Sequence, residues 1–204
     1  MIVIIDYGLG NILAFANTYK RLNVGVKVAR KADDLTDATK LILPGVGAFD
    51  RAMDLFQQSG MRERTEELVL GQKVPVLGIC VGMQILASAS EEGVSPGLGW
   101  VQGTVRKFDV ASLPHSTHLP HMGWNDVMPL RQTALFDQLQ NDARFYFLHS
   151  YYFQCANQHD ALAQAKYGDN FTCAVNHENV YGVQFHPEKS HHYGAQLLKN
   201  FADL

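Results

Sequence analysis

The first half of the chain alternates short apolar segments with helix-like segments that open at glycine-rich turns. Four of the apolar segments are predicted to be strands, at 1–6, 24–30, 40–44 and 74–79. Runs that are apolar on both faces are typical of strands in a parallel sheet that helices cover on both sides. Few folds accommodate this alternation, and in those folds ligands bind at the carboxyl ends of the strands.

The second half has shorter runs, often alternating in polarity, which predict antiparallel strands added to the same sheet. These runs lie at 99–108, 123–127, 143–153, 161–168, 171–176 and 180–185. A linker near 109–120 divides the halves loosely, and a last helix is predicted at about 192–202. We therefore predict a single α/β domain over residues 1–204, with a largely parallel central sheet that is flanked by helices and extended by antiparallel strands.

Composition and charge argue against several classes of protein. The chain carries a net charge of −3 and no run of Lys or Arg, which argues against binding to nucleic acid or to an anionic membrane. The start, MIVIID, lacks the basic residues of a signal peptide, and the longest apolar stretch is too short to span a bilayer. Three cysteines without a C-x-x-C spacing favour neither a disulfide framework nor a zinc ribbon. We expect a cytoplasmic protein with no metal site and no cofactor.

The segment GICVGMQ, at 78–84, places Cys80 between two glycines, after a buried strand and before a helix. The pattern G-x-C-x-G is the cysteine version of the nucleophile elbow, a tight turn that presents a nucleophile at the sheet edge. A helix N-terminus favours a thiolate, and the N–H of Val81 would point to the place where an oxyanion forms. The alternative interpretation is a buried structural cysteine, which is a common state of free Cys.

The segment YGVQFHPE, at 181–188, supplies the base that a nucleophilic cysteine requires. Residues two apart on an extended segment face the same side, so His186 and Glu188 can converge, with the carboxylate orienting the imidazole. Together the two segments predict a catalytic triad of Cys80, His186 and Glu188.

The turn PGVG, at 44–47, follows the third predicted strand at the same edge of the sheet as Cys80. Its two glycines would let a peptide plane approach a ligand or rotate. We predict that a second oxyanion donor comes from the backbone of Gly45, Val46 and Gly47. Without Cys80 nearby in the sheet, a simple glycine turn would be the better interpretation.

These motifs resemble those of the class I, triad-type glutamine amidotransferases, which hydrolyse glutamine to glutamate and ammonia. GICVGMQ and QFHPE carry the resemblance to the family as a whole. Further segments resemble one branch of it, the glutaminase subunits of imidazole glycerol phosphate synthases in histidine biosynthesis. These segments are DYGLGNI, LPGVGAFD, PHMGWN, FYFLHSYY and FHPEKS followed by LLKNF, and they span about residues 2 to 202.

The resemblance implies a mechanism and a partner. Cys80 would attack the side-chain amide of glutamine to give a γ-glutamyl thioester, while His186, held by Glu188, would pass the thiol proton to the departing ammonia. The ammonia would enter a barrel-shaped synthase subunit in a heterodimer, where imidazole glycerol phosphate and an aminoimidazole carboxamide ribotide form. The glutamine contacts implied are Gln84, Ser150 and Tyr151. The partner contacts implied are Asn11, His121, Met122, Trp124, Asn125 and Lys189.

Other functions stay open on the sequence alone. A sister amidotransferase subunit would share the triad, although PHMGWN argues against it. A stand-alone γ-glutamyl hydrolase would be active without a partner, and a catalytically silent binding module would keep only the fold. One further hypothesis is that the Val46 peptide points its N–H away from the oxyanion until the loaded partner flips it. His191 and His192 have no assigned role.

Overall fold

The computed structural model describes residues 1–109 and 118–204, so most of the linker predicted near 109–120 lies outside the described residues. The strands of the first half are β1 (Ile2–Ile5), β2 (Val26–Ala29), β3 (Lys40–Gly45), β4 (Val76–Cys80) and β5 (Ala89–Ser90). The helices of this half are α1 (Ile12–Arg21), α2 (Phe49–Gln58), α3 (Arg62–Glu66), which continues as a π-helical turn over Glu67–Gly71, and α4 (Val81–Gln84).

The second half is mostly strands. They are β6 (Gly103–Lys107), β7 (His121–Asp126), β8 (Met128–Pro129), β9 (Arg144–His149), β10 (Tyr151–Cys155), β11 (Ala161–Tyr167), β12 (Asp169–His177) and β13 (Val180–Val183). A helix, α5 (His191–Asp203), follows them. Short 3₁₀ turns occur at Ala32–Leu35, Ala134–Phe136, Gln158–Asp160 and Pro187–Lys189.

One large mixed sheet organises the described part of the chain. Its strand order is β2-β1-β3-β4-β13-β12-β10-β6-β5, and β11 pairs with β12 and with β8. The predicted parallel core is present, because β1 pairs in parallel with β2 and β3, and β3 pairs in parallel with β4. All four residues of β1 are buried, as expected for a strand covered on both faces, and each such side chain stabilises the fold by roughly 1.5–3 kcal/mol.

The last strand departs from the antiparallel arrangement that the sequence predicts for the second half. β13 forms an antiparallel pair with β12, but on its other side it pairs in parallel with β4, Val180 opposite Val76 and Val183 opposite Ile79. The sequence of this short apolar run does not show which strands flank it. One neighbour, β12, precedes it in a hairpin and is antiparallel, whereas the other, β4, is distant in the chain and parallel. The parallel pairing brings the carboxyl ends of β3, β4 and β13 to one edge.

Two predicted elements are shorter in the structure than in the sequence analysis. The strand predicted over 143–153 divides at Ser150, because β9 forms a separate two-stranded sheet with β7 whereas β10 joins the main sheet. The helix predicted after Cys80 ends at Gln84. The carbonyls of residues 85–87 accept hydrogen bonds from the N–H groups of residues 98, 99 and 101, so they are not available to extend the helix. Within the described ranges, the helices are too short or too polar to cross a membrane.

Candidate active site

Cys80 lies at the tip of a strained turn between β4 and α4. Its φ of 55° and ψ of −114° lie in a region that non-glycine residues rarely adopt, at a cost of about 1–3 kcal/mol. The flanking glycines are required by close packing. A Cβ at Gly78 would lie 2.5 Å from the carbonyl oxygen of Gly82, and a Cβ at Gly82 would lie 1.9 Å from that of Leu43. The G-x-C-x-G pattern therefore follows from the close approach of β3 and β4 to this turn.

His186 and Glu188 reach the same edge from the end of β13. The Nδ1 atom of His186 lies 2.9 Å from Oε1 of Glu188, and their side chains are 4% and 2% exposed. The N–H of His186 donates to the carbonyl of Tyr146 at 2.8 Å. Ser190 donates its hydroxyl to the carbonyl of His186 at 2.6 Å. The imidazole is thus held by its own backbone as well as by the carboxylate.

The charge state of His186 follows from its two partners. Burial acts to lower its pKa, but the side-chain hydrogen bonds with Cys80 and with Glu188 outweigh burial and raise the pKa to about 10. His186 therefore keeps its proton at neutral pH, as an imidazolium between a sulfur atom and a carboxylate. An imidazolium beside a cysteine sulfur stabilises the thiolate, which is the nucleophilic form.

A buried glutamine pair adds a polar group beside the sulfur that sequence reasoning missed. Gln184 is fully buried, and its Nε2 atom lies 3.8 Å from Sγ of Cys80. Its Oε1 atom accepts a hydrogen bond from Nε2 of Gln84 at 3.0 Å. The same Gln84 nitrogen lies 3.3 Å from the carbonyl of Tyr151. A polar residue inside the apolar run VYGVQF was the available signal, since an amide is buried only where it finds partners.

The PGVG turn packs directly against the nucleophile turn. Gly45 pairs with Cys80 in the β3–β4 ladder, and a Cβ there would lie 2.5 Å from the backbone nitrogen of Gly82. Gly47 has a φ of +90°, which favours glycine. Val46 is 39% exposed at the edge of the site. The predicted segment is therefore in place, and its donation to an oxyanion stays a prediction.

A cavity of about 300 Å³ opens in front of Cys80. That volume is at the lower end of the range typical for sites that bind small molecules. The sequence-predicted residues that line it are Val46, Gly47, Cys80, Val81, Gln84, Ser150, Tyr151, His186 and Lys189. Gly45 and Glu188 lie directly behind this lining, in contact with the turn of Cys80 and with His186.

Glu92 is a second functional candidate that sequence reasoning missed. It lines the cavity, and its carboxylate accepts a hydrogen bond from the N–H of Phe49 at 2.9 Å. Its neighbour Glu91 binds Arg106 on the surface, at 2.6 Å. Two adjacent glutamates look alike in the sequence, so only the folded chain separates the one at the cavity from the one on the surface.

The residues implied as partner contacts differ in exposure, and those on β7 face two opposite sides of the strand. Met122 and Trp124 on β7 are 65% and 39% exposed, and Asn11 and Lys189 are also exposed. The ammonium group of Lys189 lies 5.7 Å from the ring centre of Tyr146. Asn125 is half-buried. His121 differs from the others, because it is 4% exposed and its Nδ1 atom lies 2.9 Å from Nε2 of His149.

The acidic, histidine and cysteine side chains do not gather into a metal site in the described part of the chain. Across residues 1–109 and 118–204 they form no group of three or more that could hold a metal ion. The site described above instead places an imidazolium in contact with a cysteine sulfur and with a carboxylate, beside a small cavity. Such an arrangement performs nucleophilic acyl transfer.

Comparison with known proteins gives the family of the chain. Residues 3–204 match the model of the glutamine amidotransferase class-I family. The chain therefore belongs to the class I glutamine amidotransferases, which confirms the resemblance seen in the sequence.

Three similar curated relatives are named as HisH subunits of imidazole glycerol phosphate synthase. The imidazole glycerol phosphate synthase subunit HisH of Bdellovibrio bacteriovorus is 62% identical over 204 residues, with 100% of both chains covered. The subunit of the same name from Leptospira interrogans is 52% identical, again with 100% of both chains covered. HisH 2 of Pseudomonas aeruginosa is 45% identical over 204 residues, with 100% of both chains covered.

Solved structures confirm the predicted fold class. A crystal structure described as glutamine amidotransferase has a TM-score of 0.74 at 20% identity, covering 100% of both chains. A putative GMP synthase protein from Thermoplasma acidophilum has a TM-score of 0.73 at 20% identity, covering 99% of this chain and 92% of that one. At this identity the likeness concerns the fold.

Proposed function

We propose that this chain is the glutaminase subunit of an imidazole glycerol phosphate synthase of histidine biosynthesis. It would hydrolyse glutamine and deliver the ammonia to a synthase subunit. The observation that carries the proposal is the contact of His186, which lines the cavity, with both Cys80 and Glu188. The names of relatives at 45–62% identity over the whole chain support the choice among amidotransferases. We also propose that residues 1–204 form one glutamine amidotransferase domain, and cytoplasmic location stays a prediction.

The proposed reaction uses the triad in two half-reactions. The Cys80 thiolate attacks the side-chain carbonyl carbon of glutamine, and the C–N bond of the resulting tetrahedral intermediate breaks. The leaving nitrogen takes the proton of the His186 imidazolium and departs as ammonia, which leaves a γ-glutamyl thioester. The neutral His186 then takes a proton from water, whose oxygen attacks the thioester and releases glutamate. Glu188 stabilises the imidazolium each time it forms.

The oxyanion of each intermediate requires donors close to the sulfur. The N–H of Val81, at the start of α4, is one proposed donor, and the backbone of Gly45, Val46 and Gly47 is the other. If the Val46 peptide turns its N–H away in the isolated subunit, the missing donor would raise the barrier by about 2.7–4 kcal/mol. Rotation of that peptide in the complex would then restrict glutamine hydrolysis to the time when the synthase is loaded.

The cavity offers an acceptor for the charged α-amino-acid end of glutamine. Its α-ammonium group requires an acceptor, and Glu92 supplies a carboxylate on the cavity wall. Ser150 and Tyr151 line the same wall, and Gln84 reaches the carbonyl of Tyr151. We propose that these groups hold the substrate while its side chain points to Cys80.

The face beside the cavity is the proposed docking surface of the synthase. Met122, Trp124 and Leu148 are exposed apolar side chains on β7 and β9, and Leu148 also lines the cavity. Exposed apolar clusters of this kind mark contact sites with other proteins. Ammonia released into neutral water would be protonated and lose its nucleophilicity, so a covered exit protects the product. A barrel-shaped partner and a heterodimer remain parts of the proposal.

The test is glutamate release from glutamine, measured with and without a synthase subunit loaded with its nucleotide ligand. We expect release only in the loaded complex, and no release with Cys80→Ala. Cys155→Ala is the matched control. Burial and the Asp160 charge raise the pKa of its thiol to about 12, so it stays protonated and full activity is expected. Equal activity without the partner would indicate an independent hydrolase, and inactivity in both settings would indicate a binding module.

A further inference from the structure

We infer that His121 and His149 are positioning residues for glutamine, because they form a hydrogen-bonded chain from the proposed docking strand to the backbone of the substrate cavity. This inference rests on the proposed function. The chain runs from Asn125 on β7, through the two imidazoles, to the carbonyl of Tyr151 at the start of β10.

The distances define each link. Nδ2 of Asn125 lies 3.2 Å from Nε2 of His121, whose Nδ1 atom lies 2.9 Å from Nε2 of His149. Nδ1 of His149 lies 2.7 Å from the carbonyl oxygen of Tyr151. Three consecutive side-chain contacts therefore connect two separate sheets.

The proton positions follow from the two ends of the chain. A carbonyl can only accept, so Nδ1 of His149 carries a proton and its Nε2 atom must accept one from Nδ1 of His121. Nε2 of His121 is then an acceptor for the amide of Asn125. The orientation of that amide is set independently, since it also donates to the carbonyl of Lys166 at 2.8 Å and accepts from the N–H of Asp126 at 2.9 Å. Each imidazole is thus neutral and held in one tautomer.

The surroundings favour this neutral state. The ring of His121 lies between Tyr167 and Phe147, with centre-to-centre distances of 4.1 Å and 4.8 Å. His149 packs against Phe108 and Phe171 at 5.4 Å and 5.2 Å. Burial lowers the pKa of His149 to about 3 and that of His121 to about 4. Such a chain donates and accepts without carrying charge, which suits a structural link and not a proton carrier.

The end of the chain lies where the substrate is proposed to bind. The Tyr151 carbonyl lies within hydrogen-bond distance of two buried side-chain nitrogens, Nδ1 of His149 and Nε2 of Gln84. His149, Ser150 and Tyr151 line the cavity, at the point where β9 leaves the small sheet and β10 enters the large one. The two donors thus hold the backbone at a junction between sheets.

The other end of the chain lies on the strand that presents the docking surface. Met122 and Trp124 alternate with His121 and Asn125 on β7. A partner that binds Met122 and Trp124 would therefore contact the same strand that carries two members of the hydrogen-bonded chain. The registers of β7 and β9 place His121 directly opposite His149. The chain therefore links the glutamine-binding backbone to the strand whose opposite face presents the proposed docking surface.

The test compares two variants at position 121 in the loaded complex. His121→Phe keeps the aromatic stack but removes the donor to His149, whereas His121→Asn keeps an N–H near the position of Nδ1. We expect His121→Phe to raise the KM for glutamine about tenfold, since a buried hydrogen bond is left unmade, with kcat changed less than about threefold. His121→Asn should restore most of the KM. His149→Asn, which keeps a donor toward the Tyr151 carbonyl, should resemble His121→Asn.

Two controls separate this role from a loss of folding, and the activity of the wild-type complex separates it from failure of the proposed function. The first control is His177→Phe. The Nδ1 atom of His177 lies 3.1 Å from Oδ1 of Asp160, and neither residue lines the cavity, so the KM should stay unchanged. The rate at which iodoacetamide alkylates Cys80 should be the same in His121→Phe as in wild type, because the small reagent needs no glutamine contacts. Inactivity of the wild-type complex would reject the proposed function. An active wild type with an unchanged KM in His121→Phe, or with equal losses in both position-121 variants, would overturn the positioning role.

Discussion

His186 and His149 are buried histidines that line the same cavity, yet their imidazoles differ in charge. Burial acts to lower the pKa of both. In His186 the hydrogen bonds with Cys80 and Glu188 outweigh burial and raise the pKa to about 10. In His149 burial prevails over the hydrogen bond with the Tyr151 carbonyl, and the proximity of His121 and of the His186 imidazolium lowers the pKa further, to about 3. The partners of each ring therefore decide which one keeps a proton.

This difference separates a group that moves protons from a group that holds geometry. A charged His149 beside the His186 imidazolium would repel it and would lack a carboxylate partner. With His149 neutral, His186 is the charged imidazole of the cavity, and it is the ring that contacts the sulfur of Cys80. If the partners of each ring, and not its burial, set its charge, removing those partners should change the behaviour of His186.

Removing the thiol should have the largest effect. Cys80→Ser keeps the size of the side chain but replaces a good nucleophile with a poor one, and it removes a partner that raises the pKa of His186. We expect glutamate release by the loaded complex to fall about 10⁴- to 10⁶-fold. Steady-state kinetics measure the loss, and circular dichroism should show an unchanged fold. Substantial activity in this variant would remove Cys80 from the mechanism.

Removing the carboxylate should make His186 behave more like His149. Glu188→Gln keeps the shape of the side chain but removes its charge, so we expect the pKa of His186 to fall and activity to drop about 10²- to 10⁴-fold. The pH dependence of Cys80 alkylation by iodoacetamide reports the change. The profiles of wild type and variant should differ, because the charge of His186 beside the sulfur changes with its pKa. Superimposable pH profiles would show that Glu188 does not set the charge of His186.

The two kinds of histidine should also affect stability with opposite dependence on pH. The folded-state pKa of His149 lies below the ordinary histidine value of 6.5, so the unfolded chain binds more protons between about pH 3 and about pH 6.5. The free energy of unfolding should therefore fall as pH falls through that window, by up to about 1.4 kcal/mol per pH unit for this group. His186 has a raised pKa, so its contribution is present below pH 6.5 and is lost as pH rises toward about 10.

Urea unfolding of wild type and His149→Asn checks the acid side of this prediction. The variant lacks the group that must gain a proton on unfolding, so its stability should decline less between about pH 6.5 and about pH 4.5. His159→Asn, at an exposed histidine, is the matched control and should follow wild type. If the slope of His149→Asn matched that of wild type, His149 would not be a buried neutral histidine.

An exposed histidine should have the smallest effect. His191, to which the sequence assigned no role, stacks on Trp124 with ring centres 5.3 Å apart and an angle of 2° between the planes. Because both rings are accessible to solvent, we expect His191→Ala to lower the free energy of unfolding by less than about 1 kcal/mol. Tryptophan fluorescence should change with it, whereas His192→Ala should leave the signal of Trp124 unaltered. A loss of several kcal/mol would contradict a surface stack.

Much of the fold and of the triad could be predicted because the signals are local. Apolar runs and glycine turns predict the strands and their ends to within a few residues. The pattern G-x-C-x-G predicts a tight turn, in which only glycine fits at positions 78 and 82. His186 and Glu188 lie two residues apart, so the spacing of an extended segment already brings them together. The sequence alone therefore predicts which residues form the triad and at which edge of the sheet they lie.

Tertiary structure decided the features that depend on distant pairing. β13 lies parallel to β4, which puts Gln184 beside Cys80 across 104 residues of chain. The division of the aromatic run at Ser150 lets His149 meet His121 and turns both rings inward. A short sequence pattern does not show whether a strand histidine faces a partner protein or another histidine. Successive side chains of a strand point to opposite faces, and a shift of one residue in register exchanges the two faces. The register is chosen by packing of the whole sheet, and so only the folded chain shows it.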